Sequence, residues 1–208
     1  TDDLGYEIWM DAVDALGIWD ALMAAGHDYG ITPTGILAMD MARVEAGLFM
    51  LDGDYTSASH AWIPGQRSSP YEMGLGWTVN LDKQGYFVGR RALEREHREG
   101  SSWQLAGLEI DWEGLEREYA AVGMPPQVPA SAVRGSIPVY AGPRQVGYAS
   151  TSTWSPVLKK YIALVHLQQP YFTPGTKVEI EVTVEHHRRK SPATVVKLPF
   201  YDPEWKKK

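Results

Sequence analysis

From Val178 to Val184 the chain reads V-E-I-E-V-T-V, apolar and polar in strict alternation. That period of two puts four aliphatic side chains on one face and the polar ones on the other, the pattern of a half-buried strand. One such strand cannot bury its apolar face alone, and two are marginal in water. Runs of strand character also occupy 103–110, 135–140, 144–150, 160–167 and 193–198, with the alternating run itself at 176–184. Turn chemistry separates them at Gly142-Pro143, Pro174-Gly175 and His186-His187. Six short strands punctuated in this way predict a small antiparallel barrel or sandwich. Residues 119–134 form a Pro- and Ala-rich connection within it.

The first hundred residues have a different texture. Tyr6, Ile8 and Met10 alternate with Glu7 and Trp9, which predicts a strand. Val13, Leu16, Trp19 and Leu22 recur at helical spacing up to Gly26. Thr32 and Pro33 offer an N-cap and first turn for a second helix, whose apolar stripe is Leu37, Met41, Val44 and Leu48. Residues 52–76 carry turn chemistry and read as a long irregular loop, Trp77, Val79 and Leu81 as a short strand, and 88–99 as a charged helix. Gly100-Ser101-Ser102 marks the change of texture. The fold class is therefore α+β, with units at 1–100 and 103–200 and a basic tail at 201–208. The chain enters pattern at once after Thr1-Asp2-Asp3, and a strand there needs partners that nothing before it supplies. We expect a piece of a longer protein.

Composition removes several function classes. Cys is absent, so thiol catalysis and cysteine-based zinc sites are excluded. That permits a reducing, cytoplasmic setting, and no apolar run is long enough to span a membrane. The net charge is −6, and residues 186–208 hold seven Lys or Arg against two Asp or Glu, so the rest of the chain is strongly acidic. Nucleic-acid binding needs a cationic surface, and no such partner is expected. The closing Lys206-Lys207-Lys208 reads as a solvated tail. Glu185-His186-His187 sits beside Arg188, Arg189 and Lys190, which repel a metal ion, so it reads as a hairpin tip rather than a ligand set. No metal site is expected. The other histidines are scattered and carry no role.

Several segments carry a resemblance. Gly5-Tyr6-Glu7-Ile8 is followed by G-I-L-A-M-D-M-A-R-V-E-A-G-L from Gly35 to Leu48. Met73 to Val79 reads M-G-L-G-W-T-V, Tyr86 to Leu93 reads Y-F-V-G-R-R-A-L, and Ser150 to Leu158 reads S-T-S-T-W-S-P-V-L. In this order they resemble the glycine cleavage system T-protein family, the aminomethyltransferases. The resemblance implies a three-domain protein represented here by the C-terminal piece of its α/β folate-binding middle domain, followed by the small antiparallel β-barrel. It also implies the cofactor tetrahydrofolate, onto which a one-carbon unit is moved from a carrier-bound aminomethyl group or a methylated small molecule. The Asp credited with activating the folate nitrogen belongs to the half that is missing here. No catalytic residue is therefore expected in this stretch, which would be inactive alone, and its expected partner is the remainder of the same protein.

Two folate contacts carry over by position. Glu7 matches the Glu of G-Y-E, and a carboxylate suits the paired N–H donors of a pterin. The bland alternative is a polar residue on an edge strand. The second contact is an Arg in the family motif, and here that position is Met39, which offers only soft apolar contact. Arg43, one turn on, either substitutes for it or makes a structural ion pair. Met39 and the long loop from Tyr55 to Pro70 resemble relatives that demethylate N-, O- or S-methyl donors. The competing class is a non-catalytic interaction module of the same fold that binds no folate.

Overall fold

The computed structural model describes residues 4–207. The readings that fall on Thr1-Asp2-Asp3 and on the end of the lysine tail lie outside the described residues. The chain forms α1 (Ala15–Gly26), α2 (Ile36–Glu45), α3 (Arg90–Glu99), β1 (Trp103–Ile110), α4 (Trp112–Ala120), β2 (Val133–Ala141), β3 (Arg144–Ser155), β4 (Lys160–Gln168), β5 (Lys177–Val184) and β6 (His187–Val196). The six strands close into an antiparallel barrel in the order β1-β4-β3-β2-β5-β6, with β6 returning to β1. Mixed helices and a closed six-stranded barrel confirm the α+β class.

Closure buries what alternation set apart. Val178 and Ile180 of β5 are buried with Leu108, Val139, Val146, Val165 and Val195 from the other strands, while Val184 packs with Leu115 and Tyr119 of α4. The chain turns from β5 to β6 through Glu185 and His186, both at positive φ, so that Val184 pairs with His187. That is a two-residue hairpin at the site the sequence reading marked. Close packing between β3 and β4 needs Gly147, because a Cβ there would collide with the His166 carbonyl oxygen.

Several elements depart from the sequence reading. The expected strand at Tyr6–Met10 is not formed: these residues have no regular structure and are exposed. A strand exists only through its neighbours' hydrogen bonds, and none of the described strands lies beside it. The second helix begins not at Thr32-Pro33 but after Gly35, its N-cap residue. Trp77 lies in a single 3₁₀ turn, Gly76–Thr78, instead of a strand. β6 starts at His187, six residues before the expected run, because hairpin pairing recruits the polar stretch that apolar content alone passes over. α4 went unread. Its signal was Asp111, whose carboxylate accepts from the Gly114 N–H, followed by Leu115 and Tyr119 on one face.

The first hundred residues lean on the barrel through the end of α2 and the loop that follows it. Val44 and Met73 join Leu105, Ile162 and Leu164 in a second small core on the barrel's outer wall. Ahead of that point no residue from Leu4 to Met39 is buried; Leu4 is 87% exposed and Trp9 is 89% exposed.

Candidate functional site

α2 ends in a Schellman arrangement. The Gly47 N–H donates to the Val44 carbonyl and the Leu48 N–H to the Arg43 carbonyl, with Gly47 at φ 70°. The chain therefore doubles back, and Asp54 returns to face Arg43. Arg43 is only 6% exposed. Its guanidinium donates to the Asp40 carboxylate at 2.8 Å, to the Asp54 carboxylate at 2.5 Å, to the Leu48 carbonyl at 3.1 Å and to Thr151 Oγ1 at 3.2 Å.

Asp54, 3% exposed, is the hub of this contact. One carboxylate oxygen accepts from Ser150 Oγ and Thr151 Oγ1, both at 2.6 Å, and the other from Arg43 and the Met50 N–H. Its backbone carbonyl accepts from His166 Nε2 at 2.7 Å, which fixes the imidazole proton on that nitrogen. Burial pushes the His166 imidazole below its ordinary range, and the Asp54 contacts only partly offset this. Burial also opposes ionisation of Asp40, but Arg43 and Arg134 outweigh it and hold that carboxyl below its usual range. A further tie runs from Ser155 Oγ to Glu45 at 2.5 Å. Ser150, Thr151 and Ser155 of β3 and His166 of β4 thus clamp α2 and the following turn onto the barrel.

The sequence-derived candidates fall into two places. Glu7 stands on the exposed N-terminal stretch and Met39 is 44% exposed on α2. Arg43, on the same helix as Met39, is turned inward into the clamp. Asp54, Ser150, Thr151 and His166 were missed as a group, because residues about a hundred positions apart are joined only by folding. Below the clamp, loop residues Arg67, Ser68 and Glu72 close a small cavity over Trp103, Tyr148 and His166. Burial raises the Glu72 carboxyl, with Glu96 adding to the effect. Among the described residues no three metal-ligating side chains stand together, and no helix is long and apolar enough to cross a membrane.

Two family models match this chain: the GCVT N-terminal domain over residues 1–83 and the glycine cleavage T-protein C-terminal barrel domain over residues 120–202. The chain belongs to the glycine cleavage T-protein family. An aminomethyltransferase of Bacillus pumilus is 31% identical over 201 residues, which cover 97% of this chain and 47% of the relative. A trimethylamine-oxide aldolase of Ruegeria pomeroyi is 35% identical over 205 residues, covering 98% of this chain and 22% of that protein. The chain thus spans about half the length of the aminomethyltransferases it matches, and less of the aldolase. The structure of the glycine cleavage system aminomethyltransferase T from Bartonella henselae superposes with a TM-score of 0.66 at 19% identity, over 90% of this chain and 44% of that one. At that identity it shows a shared fold.

Proposed function

We propose that this stretch is the C-terminal part of a tetrahydrofolate-dependent one-carbon transferase. The observation that carries the reading is collinear similarity to an aminomethyltransferase across 97% of the chain. The trimethylamine-oxide aldolase among the relatives supports a donor that is either a carrier-bound aminomethyl group or a methylated small molecule.

The described residues fit a folate in part. The exposed Glu7 carboxylate is free to accept from the donor edge of a pterin, and Met39 presents an exposed thioether. Arg43 spends its guanidinium on protein acceptors, so its proposed contribution is to hold α2, and with it Met39, against the barrel. The exposed apolar side chains from Leu4 to Leu16 are proposed to be covered by the remainder of the same protein, which would also bring the catalytic Asp. The stretch alone is then inactive.

Titration of the full-length protein with tetrahydrofolate, followed by intrinsic Trp fluorescence, tests this reading. Glu7→Ala removes charge-assisted hydrogen bonds each worth about 1.5–3 kcal/mol, so folate affinity should fall by about one to two decades for each bond lost. Glu7→Gln should lose less. Saturable binding that Glu7→Ala leaves untouched removes Glu7 from the site. Absence of folate binding in the intact protein turns the reading toward a non-catalytic interaction module.

A further inference from the structure

The turn that brings Asp54 back to Arg43 contains a covalent weak point. It reads Met50-Leu51-Asp52-Gly53-Asp54-Tyr55, and Asp52-Gly53 is the one place in the chain where an Asp or Asn precedes a glycine. Asp52 is exposed, and among the described residues no hydrogen bond or ion pair holds its carboxylate. Its backbone stands at φ 59°, in the left-handed region where a residue with a Cβ is strained. The next peptide nitrogen is loosely held. The Gly53 N–H shares the Met50 carbonyl with the N–H groups of Asp54 and Tyr55, and its nitrogen lies 3.3 Å from that oxygen, beyond the usual range, whereas that of Asp54 lies at 2.8 Å. Glycine has no side chain to shield this nitrogen from attack on a neighbouring carbonyl carbon.

We propose that Asp52-Gly53 is an isoaspartate-forming site, and that its rearrangement loosens the hold of Asp54 on α2. The Gly53 nitrogen attacks the side-chain carboxyl carbon of Asp52. A C–N bond forms, and the carboxyl hydroxyl and the N–H proton leave together as one water. The five-membered imide then takes up water. Cleavage of its bond to the former backbone carbonyl leaves the chain running through the Asp52 Cβ, with that carbonyl carbon now a free carboxylate. Water is the only other reactant, and the mass of the protein is unchanged. The new link adds one methylene between the Asp52 Cα and the Gly53 nitrogen. Asp54 follows directly. Its carboxylate accepts from the Met50 N–H on the near side of the turn and from Arg43, Ser150 and Thr151 on the far side, and its carbonyl accepts from His166. A longer chain between Met50 and Asp54 displaces one set of these partners relative to the other.

The proposal goes beyond the folate reading and does not depend on it. The full-length protein is aged at neutral pH and physiological temperature, either folded or unfolded in urea, and then cut with trypsin. The peptide from Val44 to Arg67 reports the site. Its isoaspartyl form keeps the mass, separates chromatographically and accepts a methyl group from an isoaspartyl-specific methyltransferase. Conversion in the folded protein within a few-fold of the unfolded rate is expected, together with a lower melting temperature of the aged protein. Gly53→Ala places a Cβ at 3.4 Å from the Met50 Cβ, an ordinary contact, and Gly53 is not at positive φ, so this variant keeps the fold. It should convert several-fold more slowly and hold its melting temperature on ageing. Asp52→Asn, which loses ammonia instead of water, should convert faster and lose melting temperature sooner. Conversion confined to the unfolded chain, conversion in the folded protein with no change in melting temperature, or an equal rate in Gly53→Ala would each overturn the assignment.

Discussion

Asp54 shows how one side chain can decide a contact. The four hydrogen bonds that its carboxylate accepts, from Arg43, the Met50 N–H, Ser150 and Thr151, all come from within the protein, and the charge it neutralises, on Arg43, is itself buried. Removing one partner of a buried pair strands the other, which costs about 3–5 kcal/mol. Asp54→Ala should destabilise by that amount in chemical denaturation of the full-length protein. Arg43→Met combined with Asp54→Leu should cost less than the sum of the two single changes, since no lone charge remains. Additive losses would mean that the ion pair is incidental and that the hydroxyl contacts of Ser150 and Thr151 carry the clamp. His166 adds a pH dependence at the same point. Unfolded, it takes a proton near pH 6.5; folded, burial delays protonation to lower pH. The unfolded state therefore binds more protons in that interval, and stability rises with pH across it. The contribution is complete above about pH 6.5 and is lost as pH falls, levelling off once the folded imidazole protonates. His166→Gln keeps an N–H for the Asp54 carbonyl and should flatten the decline in melting temperature below about pH 6.5. An unchanged slope would assign the decline to other groups.

At the scale of the element, the β5–β6 hairpin carries identifiable strain. Glu185 at φ 47° and His186 at φ 62° occupy the left-handed region, which costs an ordinary residue about 1–2 kcal/mol. Asn-Gly is the pair that such a turn prefers. Replacing Glu185→Asn and His186→Gly together should raise stability by about 1–2 kcal/mol. For a chain of this length that is a gain of about 2–8 °C in melting temperature. No gain would mean that the side chains now at the tip make compensating contacts. α2 illustrates the opposite case, an element whose own stripe is only half used. Val44 is fully buried, while Leu37 at the other end is exposed. The apolar period makes a helix of this segment. Its burial comes only where β3 and β4 lie under its last turn.

Across the whole molecule, burial is concentrated in the barrel and in the α2 contact on its wall, and the N-terminal stretch offers a broad apolar surface. Leu4, Tyr6, Trp9, Val13 and Leu16 are each more than two-thirds exposed there, more large apolar side chains in so short a stretch than isolated surface residues account for. Under the proposed function, the rest of the same protein covers it. The candidate site is divided in the same way: Glu7 and Met39 look outward from this surface, whereas Asp54, His166 and the cavity of Glu72 and Arg67 belong to the barrel side.

Alternation in β5, the turns at Gly142-Pro143 and Pro174-Gly175, and the apolar period of α2 are local properties, set by which backbone conformations and which faces each residue favours. They were enough to place the barrel strands, α1, α2 and α3 to within a few residues, with β6 and its polar first half the exception. The motifs were enough to point to the family. Closure of the barrel, the absence of a strand at Tyr6–Met10 and the start of β6 depend on which backbone lies alongside, and local pattern does not contain that. The clamp and the cavity lay beyond it for the same reason. Arg43 and Asp54 carry no signal of pairing with Thr151, nor Glu72 with Tyr148, because interactions between residues so far apart in the chain exist only after the loop at 48–72 has folded back onto β3 and β4.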